Sequence, residues 1–330
     1  MEGDARKVLI LKEQELRTLL QPSRDLVEQI ADGFATLSAG GVDMPPIQHV
    51  TVGKTGDIDI KSAHVEGIDV VAVKVGAGFP GNRALGLPTS PAMMVAIDAQ
   101  TGICRALLLD NAYLTDLRTG LAGAVAADAL ANTSPARVGM IGAGVQARHQ
   151  LQAIALVREI ASITIWNRSE ERARELAREW QQTYGKEVTV ARDIKQLCAS
   201  SDLIVTTTMA REPVLEGRWL RPDTHVTAVG SDLPGKRELD GDALARASLV
   251  VADRLEQCRA NGELQWIDEA FDSASCAELG DIISGKKPFA RKPEDITIAD
   301  LTGTGMQDTV IASAALATAG ARKAGHWIDL

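Results

Sequence analysis

Aromatic residues are scarce in this 330-residue chain, at 3%. Its cores must therefore be built from Ala, Val, Leu and Ile, a composition suited to a parallel sheet covered by helices. Cysteine is also rare. Cys104, Cys198, Cys258 and Cys276 are far apart and form no C-x-x-C pair. Neither a zinc site nor a disulfide framework is expected, only scattered thiols in a reducing cytoplasm, and no metal is assigned. No apolar run approaches ~20 residues, which argues against a membrane span. The opening Met1-Glu-Gly-Asp-Ala-Arg-Lys7 is too charged, and too short before Val8, to be a secretory signal. Lys and Arg are dispersed and the net charge is -9, which argues against a nucleic-acid surface. Internal repeats and low-complexity segments are missing as well. What remains is an ordinary soluble composition, 45% hydrophobic and 24% charged, long enough for two domains.

The most informative stretch present is Arg137-Val-Gly-Met-Ile-Gly-Ala-Gly-Val-Gln-Ala-Arg148. It reads as a buried strand, a glycine turn and the start of a helix. Gly142, Gly144 and Ala147 match G-x-G-x-x-G/A, the dinucleotide-binding fingerprint, with Val145 and Gln146 inside it. Gly142 permits the tight turn, Gly144 lets the backbone approach a pyrophosphate, and Ala147 keeps helix and strand close. The helix N-terminus offers N–H groups to phosphate. Alone, this pattern also describes an ordinary glycine turn between a strand and a helix.

The segments that follow decide between the two. Apolar runs at Ile163–Trp166, Val188–Ala191, Leu203–Thr208, His225–Gly230 and Leu249–Asp253 alternate with helical patterns, including Asp193–Ser200. That alternation predicts a doubly wound parallel sheet. An Asp or Glu at the tip of the second strand would bind the ribose hydroxyls of NAD. Asn167-Arg168-Ser169 stands there instead. Arg168 and Ser169 suit a 2′-phosphate, which tilts the reading toward NADP(H), with NAD(H) as the alternative. In the other reading Arg168 faces solvent near Glu170 or Glu171. Asp232 follows Gly230 and Ser231 at the end of the fifth strand, where ligands of open α/β sheets sit. An acid there can exchange a proton with an imine nitrogen while hydride moves at carbon; by spacing alone it is a turn aspartate before Leu233-Pro-Gly235.

The N-terminal third is an α+β unit. A helix over Lys12–Leu20 and a second one capped by Ser23 precede strands at Ile58–His64, Asp69–Val75, Ala92–Ile97 and Cys104–Leu109. Lys61 and Lys74 interrupt apolar strand patterns. A buried, unpaired ammonium is very costly, so an inward-pointing Lys74 needs an anionic partner from protein or ligand; both lysines otherwise face solvent. Arg118 is placed at the start of an Ala-rich helix running from Leu117 to Leu130. There it can clamp a carboxylate in bidentate geometry or pair with Asp110 or Asp116. Helical segments are expected over Arg254–Gly285, a strand over Glu294–Asp300, and a long Ala-rich helix over Gln307–Ala324.

The motifs Lys74-Val-Gly-Ala-Gly-Phe-Pro-Gly-Asn82, Leu114-Thr-Asp-Leu-Arg-Thr-Gly120, Ile141-Gly-Ala-Gly-Val-Gln-Ala147, Val229-Gly-Ser-Asp-Leu-Pro-Gly-Lys236 and Leu301-Thr-Gly-Thr-Gly305 occur in that order. Together they resemble the ornithine cyclodeaminase/μ-crystallin family over nearly the whole chain, most closely its ectoine-utilisation branch. The resemblance implies a Rossmann NAD(P)-binding domain, here residues 121–306. It also implies a substrate-binding and dimerisation domain, residues 1–120 with 307–330, and a homodimer. Carried over by motif, Lys74 and Arg118 hold the substrate α-carboxylate, Asp232 transfers the proton, and Thr119, Thr206, Thr207 and Thr208 lie along the cofactor. One departure matters: the Arg that many members carry after the Pro-Pro is replaced here by Ile47-Gln48-His49. Lys61, which resembles a lysine of the ectoine-utilisation and iminosuccinate-reductase branches, could take its place. A third cation suits a dicarboxylate better than ornithine, whose side-chain ammonium it repels. The implied activity is reduction of a small α-imino acid, such as iminosuccinate to aspartate, or the reverse oxidation. A deaminating cyclase and a non-catalytic NADPH binder are the alternatives within the family.

Overall fold

The computed structural model describes residues 7–134, 136–267 and 275–329. It divides into two units, Met1–Arg118 with Thr304–Leu330, and Thr119–Gly303. The chain begins with β1 (Lys7–Lys12), α1 (Glu13–Leu19) and α2 (Arg24–Ser38). Ser23 caps α2, its Oγ accepting from Leu26 N–H at 3.3 Å, and Ile30, Phe34 and Leu37 bury one face of the helix. Then come β2 (Val42–Asp43), β3 (Gln48–Val52), β4 (Gly56–Val65), β5 (Val70–Gly78), β6 (Ala92–Asp98) and β7 (Cys104–Leu109). The next helix, α3, spans Tyr113–Leu130. It begins a full turn before the expected Leu117, because the Asp110 carboxylate accepts from Leu114 N–H at 2.8 Å and seeds the helix there. Arg118 therefore lies in its second turn.

The second unit runs through β8 (Ala136–Ile141), α4 (Val145–Val157), β9 (Ile160–Trp166), α5 (Glu170–Tyr184), β10 (Val188–Val190), α6 (Ile194–Ser200) and β11 (Leu203–Thr206). It continues with β12 (His225–Ala228), α7 (Gly241–Arg246), β13 (Leu249–Ala252), α8 (Leu255–Asn261), β14 (Cys276–Glu278), α9 (Leu279–Ile283) and β15 (Thr297–Asp300). Among the described residues these strands form one sheet in the order β10-β9-β8-β11-β12-β15-β13-β14, all parallel. The central strands β11, β12, β13 and β15 are buried on both faces. Ala147, Leu151, Ile154, Leu176 and Trp180 pack on one side, and Leu197, Leu239, Leu244 and Cys258 on the other. This is the doubly wound α/β fold, with a second, α+β unit. Within the stretch expected to be helical, β14 is a strand that pairs with β13; residues 268–274 of that stretch lie outside the described residues.

The chain then enters α10 (Gly305–Arg322) and β16 (His326–Asp329), which complete the first unit. Its sheet has the order β16-β1-β7-β6-β5-β4-β2, with β3 also on β4. Alternation along β5 turns Val70, Ala72 and Lys74 to one face, the face α10 covers: Thr309 Oγ1 donates to Ala63 O at 2.7 Å and accepts from Ala72 N–H at 3.2 Å. Among the described residues no helix is long and apolar enough to cross a membrane.

Candidate functional site

Lys61 and Lys74 are register partners on β4 and β5, so both side chains leave the sheet on the face under α10. Lys74 is only 4% exposed, and Lys61 is half-buried. The anion that Lys74 requires is Asp308, in the first turn of α10, with Oδ2 at 3.3 Å from the ammonium. The other oxygen, Oδ1, accepts from Arg118 Nε at 3.0 Å. Arg118 thus pairs with Asp308 rather than with Asp110 or Asp116. Its Nη1 also reaches Gln307 Oε1 at 3.4 Å, while Gln307 closes a capping box with Thr304. Placing Asp308 at a helix N-terminus adds a favourable dipole to two cations.

Burial pushes the Lys74 ammonium down to about 7; Asp308 opposes that shift, while Arg118 and Lys61 reinforce it. Burial also acts to raise the Asp308 carboxyl, but Lys74, Arg118 and Lys61 outweigh it and hold the group below the ordinary carboxylate range. Asp110, fully buried beside them, is lifted by burial to about 6. The cluster thus gathers the Lys61, Lys74 and Arg118 cations around the Asp308 carboxylate, with buried Asp110 beside them, a concentration of buried positive charge of the kind that can meet an organic anion. Asp308 was absent from the residues expected at the site. Its signal was present: it is the only charged residue between Gly305 and Ala319.

In the second unit the glycine turn sits where the strand order reverses, with β9 and β10 on one side of β8 and β11 and β12 on the other. Such switch points open a crevice at the carboxyl ends of the strands. Gly142 has φ +119°, and a Cβ there would lie 2.4 Å from Thr207 Oγ1, so only glycine fits. At Gly144, the N-cap residue of α4, a Cβ would meet no heavy atom within 4 Å, and no side chain caps the helix. Open space over an uncapped helix N-terminus is what a pyrophosphate needs. Val145 is exposed, Gln146 half-buried, and Ala147 fully buried against the sheet. Thr119, in α3, offers its carbonyl to Gln150 Nε2 at 2.9 Å.

At the tip of β9, Asn167 Nδ2 donates to Ser169 O at 2.9 Å, forming a local turn. Arg168 is exposed, and Glu170 is engaged by Arg174 at 2.6 Å. Beyond β11 and β12, Thr206 is buried, Thr207 and Thr208 are half-buried, and Gly230 and Ser231 enter the turn that carries Asp232. The Asp232 side chain is 44% exposed and pairs at 2.5 Å with Lys236, whose own side chain is 6% exposed. Ser231 Oγ and Trp266 Nε1 both donate to Lys236 O, at 3.0 and 2.8 Å, and fix this turn. Asp232 is thus a turn aspartate with an accessible carboxylate.

A doubly wound parallel sheet with an uncapped glycine turn at its switch point defines a dinucleotide-binding protein of the Rossmann type. The chain belongs to the ornithine cyclodeaminase/mu-crystallin family, whose model matches residues 6–319. An uncharacterized cyclodeaminase of Sinorhizobium fredii is 43% identical over 97% of this chain and 98% of its own length. Among solved structures, an archaeal alanine dehydrogenase dimer with bound NAD superposes with TM-score 0.91 at 30% identity, covering 98% of this chain and 99% of that one. The Thermococcus litoralis Delta(1)-pyrroline-2-carboxylate reductase, in complex with NADH and L-proline, gives 0.90 at 29% identity, covering 97% and 99%. The iminosuccinate reductase of Paracoccus denitrificans, in complex with NAD+, gives 0.89 at 29% identity, covering 98% and 100%.

Proposed function

We propose that this chain is a cytoplasmic NAD(P)H-dependent reductase of a small α-imino acid, iminosuccinate foremost, or in reverse an amino acid dehydrogenase. The observation that carries the reading is the buried pair of Lys74 and Arg118 bridged by Asp308. Two cations fixed by one carboxylate are pre-organised for a substrate α-carboxylate, which gains charge-assisted hydrogen bonds without first ordering the side chains. Lys61, opposite Lys74, takes the second carboxylate of a dicarboxylic substrate. A reduced nicotinamide, when bound, supplies hydride for the imine carbon. Asp232 exchanges the proton at the imine nitrogen, directly or through a water it orients.

The glycine turn and the N-terminus of α4 hold the pyrophosphate, and exposed Arg168 favours NADP(H) over NAD(H). The first sheet's other face carries half-buried Val71, Val73, Val75, Val95, Ile97 and Leu107. Continuous apolar surface of this kind supports a homodimer built on that sheet; a monomeric mass in solution would refute it. A cyclodeaminase, the name borne by the Sinorhizobium fredii relative, would have to seat a side-chain ammonium near Lys61.

The test is oxidation of NADPH and NADH with a panel of 2-oxo acids plus ammonia, oxaloacetate included, and with cyclic imines. Turnover with oxaloacetate and ammonia is expected. No turnover on any of them despite tight NADPH binding would sink the reductase, and ammonia release from ornithine would replace it with the cyclase.

A further inference from the structure

Glu238 lies two residues beyond Lys236, outside any helix or strand, and is fully buried. The donors that meet its carboxylate come from the ends of two neighbouring strands. Oε1 accepts from Thr208 N–H at 2.6 Å, beyond β11. Oε2 accepts from Thr206 Oγ1 at 2.6 Å and from Gly230 N–H, beyond β12, at 2.8 Å. Strands that end leave N–H groups without ladder partners, and buried ones must find an acceptor. A carboxylate has enough lone pairs to serve three donors at once; an amide does not, because half of it is itself a donor.

The bracing is tight. A Cβ at Gly230 would lie 2.5 Å from Glu238 Cδ, so the carboxylate closes only against glycine. Glu238 is fixed in turn, since its own N–H and that of Leu239 donate to the Glu263 carboxylate at 2.8 and 3.1 Å. Thr207, between the braced Thr206 and Thr208, donates to Ile141 O at 3.3 Å and packs on Gly142. One side chain thus sets where the ends of β11 and β12 stand relative to the glycine turn.

We propose that Glu238 is a positioning residue for the nicotinamide half of the bound dinucleotide, through the Thr206–Thr208 and Gly230–Ser231 loops. This rests on the reading of the unit as a dinucleotide site, in which the glycine turn holds the pyrophosphate and those loops receive the nicotinamide. Burial raises the Glu238 carboxyl above its ordinary value, and its hydrogen bonds to Thr206, Thr208 and Gly230 oppose that shift without cancelling it.

The test compares two ligands that share the adenosine diphosphate half and differ in the nicotinamide. NADPH and NADH are titrated beside ADP-ribose and its 2′-phosphate, with wild type, Glu238→Gln, Glu238→Ala and Thr206→Val. In Glu238→Gln one amide face must confront a donor, so affinity for the preferred dinucleotide should fall about tenfold, the loss of one buried charge-assisted hydrogen bond. ADP-ribose affinity should change less than about twofold, because the glycine turn keeps its own backbone. Thr206→Val removes a single donor and should produce a smaller loss of the same selective kind; it carries the test if Glu238→Ala does not fold. Equal losses for both ligands, or no loss for either, would overturn the positioning role. Failure of the wild-type protein to bind NADH, NADPH or ADP-ribose would instead overturn the dinucleotide reading beneath it.

Discussion

Lys61 and Lys74 stand directly opposite each other on neighbouring antiparallel strands, on the face covered by α10. Like charges in that relation are destabilising, and in this fold Asp308 lies 3.3 Å from Lys74. An anion near such a pair offsets the repulsion, and the distinction between its members is testable. Lys61→Met should raise KM for a dicarboxylic imino acid roughly tenfold or more, the worth of one charge-assisted contact, and leave a monocarboxylic substrate nearly unchanged. Steady-state kinetics with both substrates decides it. Equal losses would assign Lys61 no part in discriminating them.

In the proposed role Lys74 would bind a carboxylate only while protonated, and burial puts its ammonium near 7. The affinity it contributes is therefore present below that value and lost as pH rises through it. The limb should appear in kcat/KM, which reports the free enzyme, and move upward in kcat, because bound carboxylate favours the charged amine. Asp308 pulls the Lys74 value upward, so Asp308→Asn should displace the kcat/KM limb to lower pH and leave substrate binding best in mild acid. Asp308→Ala removes the partner of two buried cations and should cost about 3–5 kcal/mol of stability. A pH profile unchanged in Asp308→Asn would detach Lys74 from the limb.

Arg168 projects from the tip of β9, with Glu170 already committed to Arg174. If it reads a 2′-phosphate, Arg168→Ala should weaken NADPH about tenfold or more and leave NADH within twofold, the value of one charged hydrogen-bonding contact. Equilibrium titration of both nucleotides is the measurement. Parallel losses would make Arg168 a residue of general electrostatics, without selectivity between the two.

The second unit was legible in the sequence because its strands are covered on both faces, so Val138–Ile141, Leu203–Thr206 and Leu249–Ala252 appear as unbroken apolar runs between helical patterns. β3 and β16 carried no such mark. Every residue in them is exposed, so alternation has nothing to report. The start of α3 was hidden for another reason. Asn111 and Ala112 take positive φ, 49° and 72°, without a glycine to announce the turn. At the site, Lys74 was legible as a cation in need of an anion, but the anion lies on the last helix, and pattern along the chain does not pair residues so distant. Glu238 had no periodic signature at all; only its three converging donors identify it.

Two buried groups of the second unit predict opposite responses of stability to pH. His225 is fully buried between Thr297 Oγ1 and Thr227 Oγ1, at 2.9 and 3.0 Å, and burial pushes its imidazole down to about 3. The unfolded chain takes up that proton near 6.5 and the folded one does not, so the contribution is present above 6.5 and lost as pH falls toward 3. Glu263 is shifted the other way, to about 8, by burial and then by the Asp300 and Glu238 carboxyls. Its contribution is present below the ordinary carboxylate value and lost as pH rises through 8. Relative to wild type, His225→Leu should therefore gain stability as pH falls from 6.5 to 4, and Glu263→Gln should gain as pH rises from 5 to 8. Each trend is bounded at about 1.4 kcal/mol per pH unit, the limit for one proton. Urea unfolding of the three proteins at pH 4, 5, 6.5 and 8 measures both, and two variants that shift in the same direction would contradict these burial effects.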